Sequence, residues 1–91
     1  MRYLICYDIT ENKMRSRVAK ILEKIGRRLQ YSVFYVDITE KECQGLRQKL
    51  IETTEDSEKS LLLIVPLCAS CYGRSWIQGT PLEKEESYIV A

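Results

Sequence analysis

Histidine is absent from this chain of 91 residues, and cysteine occurs only four times. A structural zinc site typically takes four Cys or His ligands, and the single C-x-x-C motif, Cys68 and Cys71, has no second pair at a usual spacing. Redox or metal use of this pair stays open beside a role in packing or turn formation. The missing histidine also removes the commonest general base, which weakens the case for a self-sufficient ribonuclease.

The chain also lacks a long hydrophobic run. No segment approaches the roughly 20 apolar residues that span a bilayer, and the apolar N-terminal residues end at Asp8 without the cleavage site of a signal peptide. We therefore expect a soluble, cytoplasmic protein with no membrane partner. A single domain of this length has a thin stability margin, which favours help from a partner subunit.

The net charge of +1 conceals an uneven distribution. Residues 1–28 contain eight Lys or Arg and three acidic residues, a balance of +5, whereas residues 29–59 have a balance of −3. Basic charge in the first third of the chain indicates a surface for phosphate. A solvated helix face explains the same pattern, and both interpretations stay open.

The hydrophobic pattern of the first third predicts a strand followed by a helix. Residues 2–9 are apolar on both faces, as in a central strand. Residues 12–25 have helical spacing. Thr10 or Asn12 can cap the helix, and Gly26 stands where a left-handed C-terminal cap is expected.

The middle of the chain predicts further strands and a second helix. Residues 29–38 are β-rich and form one long strand or two short ones with a bend near residues 31–32. Thr39 and Glu42 make a capping box for the second helix. Residues 60–67 are apolar throughout, which is typical of an interior strand.

The last part of the chain has a weaker pattern. Residues 74–77 are a candidate short strand, and residues 87–90 are a final β-type segment behind a charged linker. We therefore predict a domain at residues 1–78 and a tail with a short strand at residues 79–91.

This order is the βαββαβ arrangement of an α+β ferredoxin-like sandwich with an extra C-terminal strand. Two helices cover only one face of the sheet, so we expect a second copy to bury the other face in a homodimer. Tyr88 and Ile89 of the tail would join this interface by strand addition. Tyr7, Tyr31 and Phe34 are predicted core or interface residues rather than base-stacking platforms.

Asp8 is the first candidate for chemistry, because a carboxylate that enters an apolar strand is costly unless it is paired, hydrogen-bonded or bound to a metal. It can also cap the following turn, and that alternative stays open. One carboxylate alone is a poor Mg²⁺ site. Two copies of Asp8 at the axis of a homodimer would hold magnesium against a phosphodiester.

Four arginines are candidates for nucleic-acid binding. Arg15 and Arg17 lie on the first turns of the first helix, and Arg27 and Arg28 follow that helix. Such side chains contact phosphates without reading bases.

Four segments in this order resemble the second CRISPR-associated protein family, the small subunit of the spacer-acquisition complex. They are YLICYDIT, NKMRSRVAKILEKIG, LQYSVFYVDIT and SLLLIVPLCASC. The resemblance implies a ferredoxin-like homodimer that bridges dimers of the CRISPR integrase subunit and supports captured protospacer DNA on a basic surface. Asp8, Arg15, Arg17 and Phe34 match family positions, whereas Tyr31 stands where many members carry a basic residue.

The leading hypothesis is thus a DNA-binding subunit of spacer acquisition. A second hypothesis is a metal-dependent endonuclease that acts on RNA or double-stranded DNA, and both roles fit one protein. The alternative is a stand-alone toxin-type ribonuclease or a regulatory ferredoxin-like domain unconnected with CRISPR.

Overall fold

The computed structural model describes residues 1–82, in which four strands and three helices follow one another. The elements are β1 (Arg2–Ile9), α1 (Asn12–Glu23), β2 (Gly26–Gln30), β3 (Val33–Asp37), α2 (Glu40–Thr54), β4 (Ser60–Leu67) and α3 (Ala69–Gly73). The predicted α+β fold with its βαββαβ order is confirmed. The predicted final strand, with Tyr88 and Ile89, lies outside the described residues.

The described strands form one antiparallel sheet in the order β2-β3-β1-β4. β1 is central, as its apolar pattern predicts, and pairs with β3 on one side and β4 on the other. β4 is an edge strand among residues 1–82, so the prediction of an interior strand is wrong. The apolar pattern of a strand predicts that its two faces are covered. It does not predict whether other strands pair with both of its edges.

Helices α1 and α2 cover one face of the sheet. Alternate residues of β1 point toward them because side chains in a strand alternate between the two faces. The buried core is made of these and facing side chains from both helices and β3: Tyr3, Ile5, Tyr7, Ile9, Val18, Leu22, Phe34, Val36, Cys43, Leu46 and Leu50.

The opposite face of the sheet, here termed the open face, carries Leu4, Cys6 and Asp8 from β1 and Leu61 and Leu63 from β4. Asp8 pairs with Leu61 and Cys6 with Leu63 in register, so these side chains share one face. Leu61 is 62% exposed and Leu63 is 49% exposed. Neither α1 nor α2 covers this apolar surface.

The short helix α3 covers one part of the same sheet face. The ring of Tyr72 lies 6.4 Å from the ring of Tyr35, and the guanidinium carbon of Arg2 lies 4.0 Å from the Tyr72 ring. The sequence pattern did not predict α3, whose first turn begins where the Sγ of Cys68 accepts a hydrogen bond from the backbone N–H of Cys71 at 3.4 Å.

The start of α1 differs from the prediction. Glu11 occupies the N-cap position, without a side-chain cap, and neither Thr10 nor Asn12 performs that role. The side chain of Asn12 instead accepts a hydrogen bond from Arg15. Asn12, one of the two residues expected to cap the helix, therefore binds Arg15 instead of a backbone N–H group of the helix.

Gly26 is likewise not a left-handed cap; it is the first residue of β2. A Cβ atom at this position would lie 2.5 Å from the carbonyl oxygen of Tyr35 and 2.5 Å from Cγ1 of Val36. Glycine is needed here because β3 approaches closely, and not because of a positive φ.

The second helix begins as predicted. Thr39 accepts a hydrogen bond from the backbone N–H of Glu42 at 3.0 Å, and the Thr39 N–H donates to the Glu42 carboxylate at 2.9 Å. This reciprocal capping box is confirmed.

The segment after α3 does not form the short strand predicted at residues 74–77. It returns toward β2 in irregular conformation, and the N–H of Leu82 donates to the carbonyl of Leu29 at 3.2 Å. The chain is thus held against the sheet beyond residue 78, where the sequence placed the domain boundary; that boundary stays a prediction. In residues 1–82, no helix has the length and apolar character needed to cross a bilayer.

Candidate nucleic-acid interface

An open cavity of about 360 Å³ lies where β1 ends, between the start of α1 and the turn that joins β2 to β3. We term it the β1-end cavity. Its lining residues combine two arginines, one carboxylate and several hydroxyl groups: Tyr7, Asp8, Ile9, Arg15, Ser16, Ala19, Arg28, Tyr31 and Ser32. Three of the residues singled out from the sequence (Asp8, Arg15 and Arg28) therefore come together at one site.

Asp8 is exposed on the cavity wall, although its neighbours Tyr7 and Ile9 are buried. The outward orientation spares the carboxylate the cost of desolvation. Glu11, at the N-cap position, leaves α1 without a side-chain cap. The helix-capping part of the alternative role of Asp8 is thus absent.

Residues 1–82 of a single chain do not by themselves form a site that fits a magnesium ion. No three Cys, Asp or Glu side chains in residues 1–82 lie close enough together to hold a metal. Among the described residues that line the cavity, Asp8 alone carries a carboxylate. A metal here requires ligands from a second copy or from a bound phosphate.

Arg15 organises the loop between β1 and α1. Its guanidinium donates to the carbonyl oxygens of Ile9 at 3.0 Å and Thr10 at 3.4 Å, and also to the side chain of Asn12. Because these bonds use several of its five donors, Arg15 contributes its positive charge from a fixed position.

Arg28 has a different environment. Its Nε atom is buried and has no hydrogen-bond partner within the described residues. Its guanidinium carbon lies 5.0 Å from the centre of the Phe34 ring, within the range of a cation–π contact. A donor that is buried without a partner is unusual in proteins. The Arg28 side chain as a whole is half-buried and lines the cavity, where an external acceptor can reach it.

The electrostatics of the cavity act on Tyr7. Burial raises the pKa of the Tyr7 hydroxyl, and the positive charge of the nearby Arg28 guanidinium partly opposes this rise. The hydroxyl donates to the carbonyl oxygen of Tyr31 at 3.0 Å, so it stays protonated and holds the turn in place.

Arg17 and Arg27 do not line the β1-end cavity. Arg17 is exposed on α1, two residues from Arg15 and therefore on another side of the helix. Arg27 and Arg28 are neighbours in β2 and point to opposite faces of the sheet. Of the four arginines predicted to bind nucleic acid, Arg15 and Arg28 share a site.

Tyr7 and Phe34, which the sequence predicted as core or dimer-interface residues, are buried within the single chain. Phe34 has no exposed surface, Tyr7 is 5% exposed, and their ring centres are 6.3 Å apart. Both are core residues, as one of the two sequence interpretations held. Their role at a dimer interface stays a prediction.

Sequence reasoning missed Glu11. Its carboxylate accepts hydrogen bonds from the Ser57 hydroxyl at 2.7 Å and from the Glu58 N–H at 3.1 Å, and these bonds lower its pKa. They tie the loop before α1 to the loop before β4. No local sequence signal shows a contact between residues so far apart in the chain.

The sequence of this chain is similar to that of one family of known proteins. The sequence profile of CRISPR associated protein Cas2 matches residues 1–75. A relative from Chloroflexus aurantiacus, named CRISPR-associated endoribonuclease Cas2 1, is 40% identical over 93 aligned positions, which cover 99% of this chain and 100% of the relative.

Two solved structures share the fold. Cas2 from Streptococcus pyogenes is 25% identical with a TM-score of 0.72, over 87% of this chain and 100% of the other. A chain in a partial Cas6-RT-Cas1–Cas2 complex is 28% identical with a TM-score of 0.68, over 92% of this chain and 98% of the other. With its fold, its profile match and these relatives, the chain belongs to the CRISPR associated protein Cas2 family.

Proposed function

We propose that this Cas2-family protein binds nucleic acid through the β1-end cavity and serves as a subunit of CRISPR spacer acquisition. The observation that carries the proposal is the pairing of Arg15 and Arg28 in one open cavity, where the Arg28 side chain is half-buried. Phosphate oxygens are the acceptors that a guanidinium binds best. The preferred ligand is the captured protospacer DNA, with RNA as a second substrate.

The salt dependence of DNA binding tests this assignment. The variant Arg28→Gln is expected to weaken duplex binding and to reduce the slope of log K against log[salt] by about 0.9 for each phosphate that the protein no longer neutralises. Arg47→Gln is the matched control, since Arg47 is an exposed arginine on α2 that lines a different groove. Equal slopes for wild type and Arg28→Gln, with folding intact, would show that DNA binds elsewhere.

The proposal includes a homodimer that bridges CRISPR integrase subunits. Two observations support it: the apolar open face, which α1 and α2 leave uncovered, and the similarity to a chain from a Cas1–Cas2 complex. In a dimer, each copy would present its own β1-end cavity to one length of DNA.

A second function, metal-dependent endonuclease activity, is favoured by the exposed Asp8 and by relatives named endoribonucleases. We propose that Asp8 from two copies would together supply the carboxylates of a metal site, with Mg²⁺ as the ion. The variant Asp8→Asn should abolish Mg²⁺-dependent cleavage of RNA by the purified protein without weakening DNA binding in EDTA, because the substitution removes a negative charge from the cavity. Undiminished cleavage by Asp8→Asn would exclude Asp8 as a metal ligand for that activity.

A further inference from the structure

Tyr31 is the most exposed large apolar side chain that the structure describes in residues 1–82, at 76% exposure. The sequence pattern predicted a core or interface residue at this position. The structure places the ring outside the core, at the tip of the turn between β2 and β3. Packing within the described part of the chain therefore does not explain why an aromatic residue stands there.

The backbone beneath this ring is firmly held. The hydroxyl of Tyr7 donates to the Tyr31 carbonyl at 3.0 Å, and the N–H of Tyr7 donates to the Ser32 carbonyl at 3.1 Å. Both bonds come from a buried residue of the central strand. The turn thus presents the Tyr31 ring from a fixed base, so a ligand that binds the ring loses little free energy in ordering it.

Tyr31 also lines the β1-end cavity beside Arg15 and Arg28. Positive groups that follow a backbone, together with an exposed aromatic ring, are the combination by which proteins hold single strands: the cations contact phosphates and a base stacks on the ring. A base inside a fully paired duplex has both faces covered by its neighbours. It cannot stack on Tyr31 without leaving the helix.

We propose that Tyr31 is a specificity-determining residue that stacks on an unpaired base while Arg28 contacts an adjacent phosphate. The site then favours nucleic acid with unpaired nucleotides, such as a single strand or the splayed end of a duplex, over a continuous duplex. This inference rests on the proposed function, because it requires nucleic acid in the β1-end cavity.

The test uses the full-length protein in EDTA, so that cleavage does not interfere. The probes are a DNA oligonucleotide with one 2-aminopurine and the same strand annealed to its complement. We expect Tyr31→Leu to bind the single strand about 5- to 100-fold more weakly than wild type, the range for removal of one base–aromatic stack. Tyr31→Phe keeps the ring and should bind as wild type, with the same quenching of 2-aminopurine.

Duplex affinity and melting temperature separate the outcomes. Because the ring is exposed, Tyr31→Leu should have the same melting temperature as wild type. Its affinity for the duplex should also be unchanged. An equal decrease on single strand and duplex, or no decrease on either, would overturn the stacking role while leaving nucleic-acid binding at Arg28 intact. A wild-type protein that binds neither probe would overturn both the inference and the proposed function.

Discussion

At the scale of single residues, Glu11 shows how one half-buried residue joins two loops, because its carboxylate accepts from the Ser57 hydroxyl and the Glu58 N–H. Both bonds favour the charged form, so the pKa in the folded chain lies below its usual 4.5. The stabilisation that results is present above the unfolded pKa and is lost as the pH falls through the folded pKa.

We therefore expect Glu11→Ala to lower the melting temperature relative to wild type at about pH 7, and this difference to be smaller at about pH 3, because the pH then lies below the pKa of the unfolded chain and the stabilisation is being lost. Thermal unfolding followed by circular dichroism measures both values. Glu23→Ala is the matched control, since it removes a glutamate from α1 and leaves the Ser57 contact in place. A Glu11 effect of constant size at both pH values would contradict this account.

Cys68 gives a second prediction at this scale. The hydrogen bond from the backbone N–H of Cys71 lowers the pKa of the Cys68 thiol. The variant Cys71→Ser prevents a disulfide with Cys68. In this variant, the alkylation rate of Cys68 should rise with pH, and the midpoint of that rise should lie at lower pH in the folded chain than in urea. Peptide mass spectrometry separates Cys68 from Cys6 and Cys43. Identical midpoints would mean that this hydrogen bond does not act on the thiol.

At the scale of elements, what could be predicted depended on whether the signal was local. The capping box of Thr39 and Glu42 is complete within four neighbouring residues and was found from the sequence. Gly26 was misread because its cause, the approach of Tyr35 and Val36, comes from another strand.

That error affected the candidate site as well. If Gly26 capped the helix, Arg27 and Arg28 would lie in a loop, and there would be no reason to expect their side chains to point in opposite directions. In β2 the two side chains alternate, so Arg28 reaches the β1-end cavity and Arg27 does not. Asp8 was singled out because a carboxylate in an apolar strand is conspicuous, and it lines the cavity, although its role stays a prediction. The exposure of Tyr31 depends on the turn and was not predicted.

Substitution of alanine for one glycine in a strand and for another in a helix should change the free energy of unfolding in opposite directions. Gly26→Ala places a Cβ 2.5 Å from backbone and side-chain atoms, and it should lower the free energy of unfolding by about 1–3 kcal/mol. Gly45→Ala, in α2, meets no atom within 4 Å and should raise that free energy by about 0.5–1 kcal/mol. Urea denaturation measures both. Equal effects would show that β3 does not approach Gly26 as closely as described.

At the scale of the whole molecule, the open face is the surface that the proposed homodimer would bury. Leu63, at 49% exposure, lies on the open face, whereas Ile51, at 51% exposure, lies on α2. We expect Leu63→Asp to convert the dimer to a monomer and Ile51→Asp to leave it a dimer, because burial of apolar area drives association. Sedimentation velocity distinguishes the two. A Leu63→Asp variant that remains dimeric would place the interface on another surface.

The central claim is that nucleic acid binds at the β1-end cavity, and side-chain NMR of the arginine Nε–H groups tests it most directly. On titration with DNA, the Nε–H signals of Arg28 and Arg15 should shift, and the signal of Arg47 should stay in place. Shifts at Arg47 with Arg28 unmoved would contradict the account, since the DNA would then lie against α2 and away from the cavity.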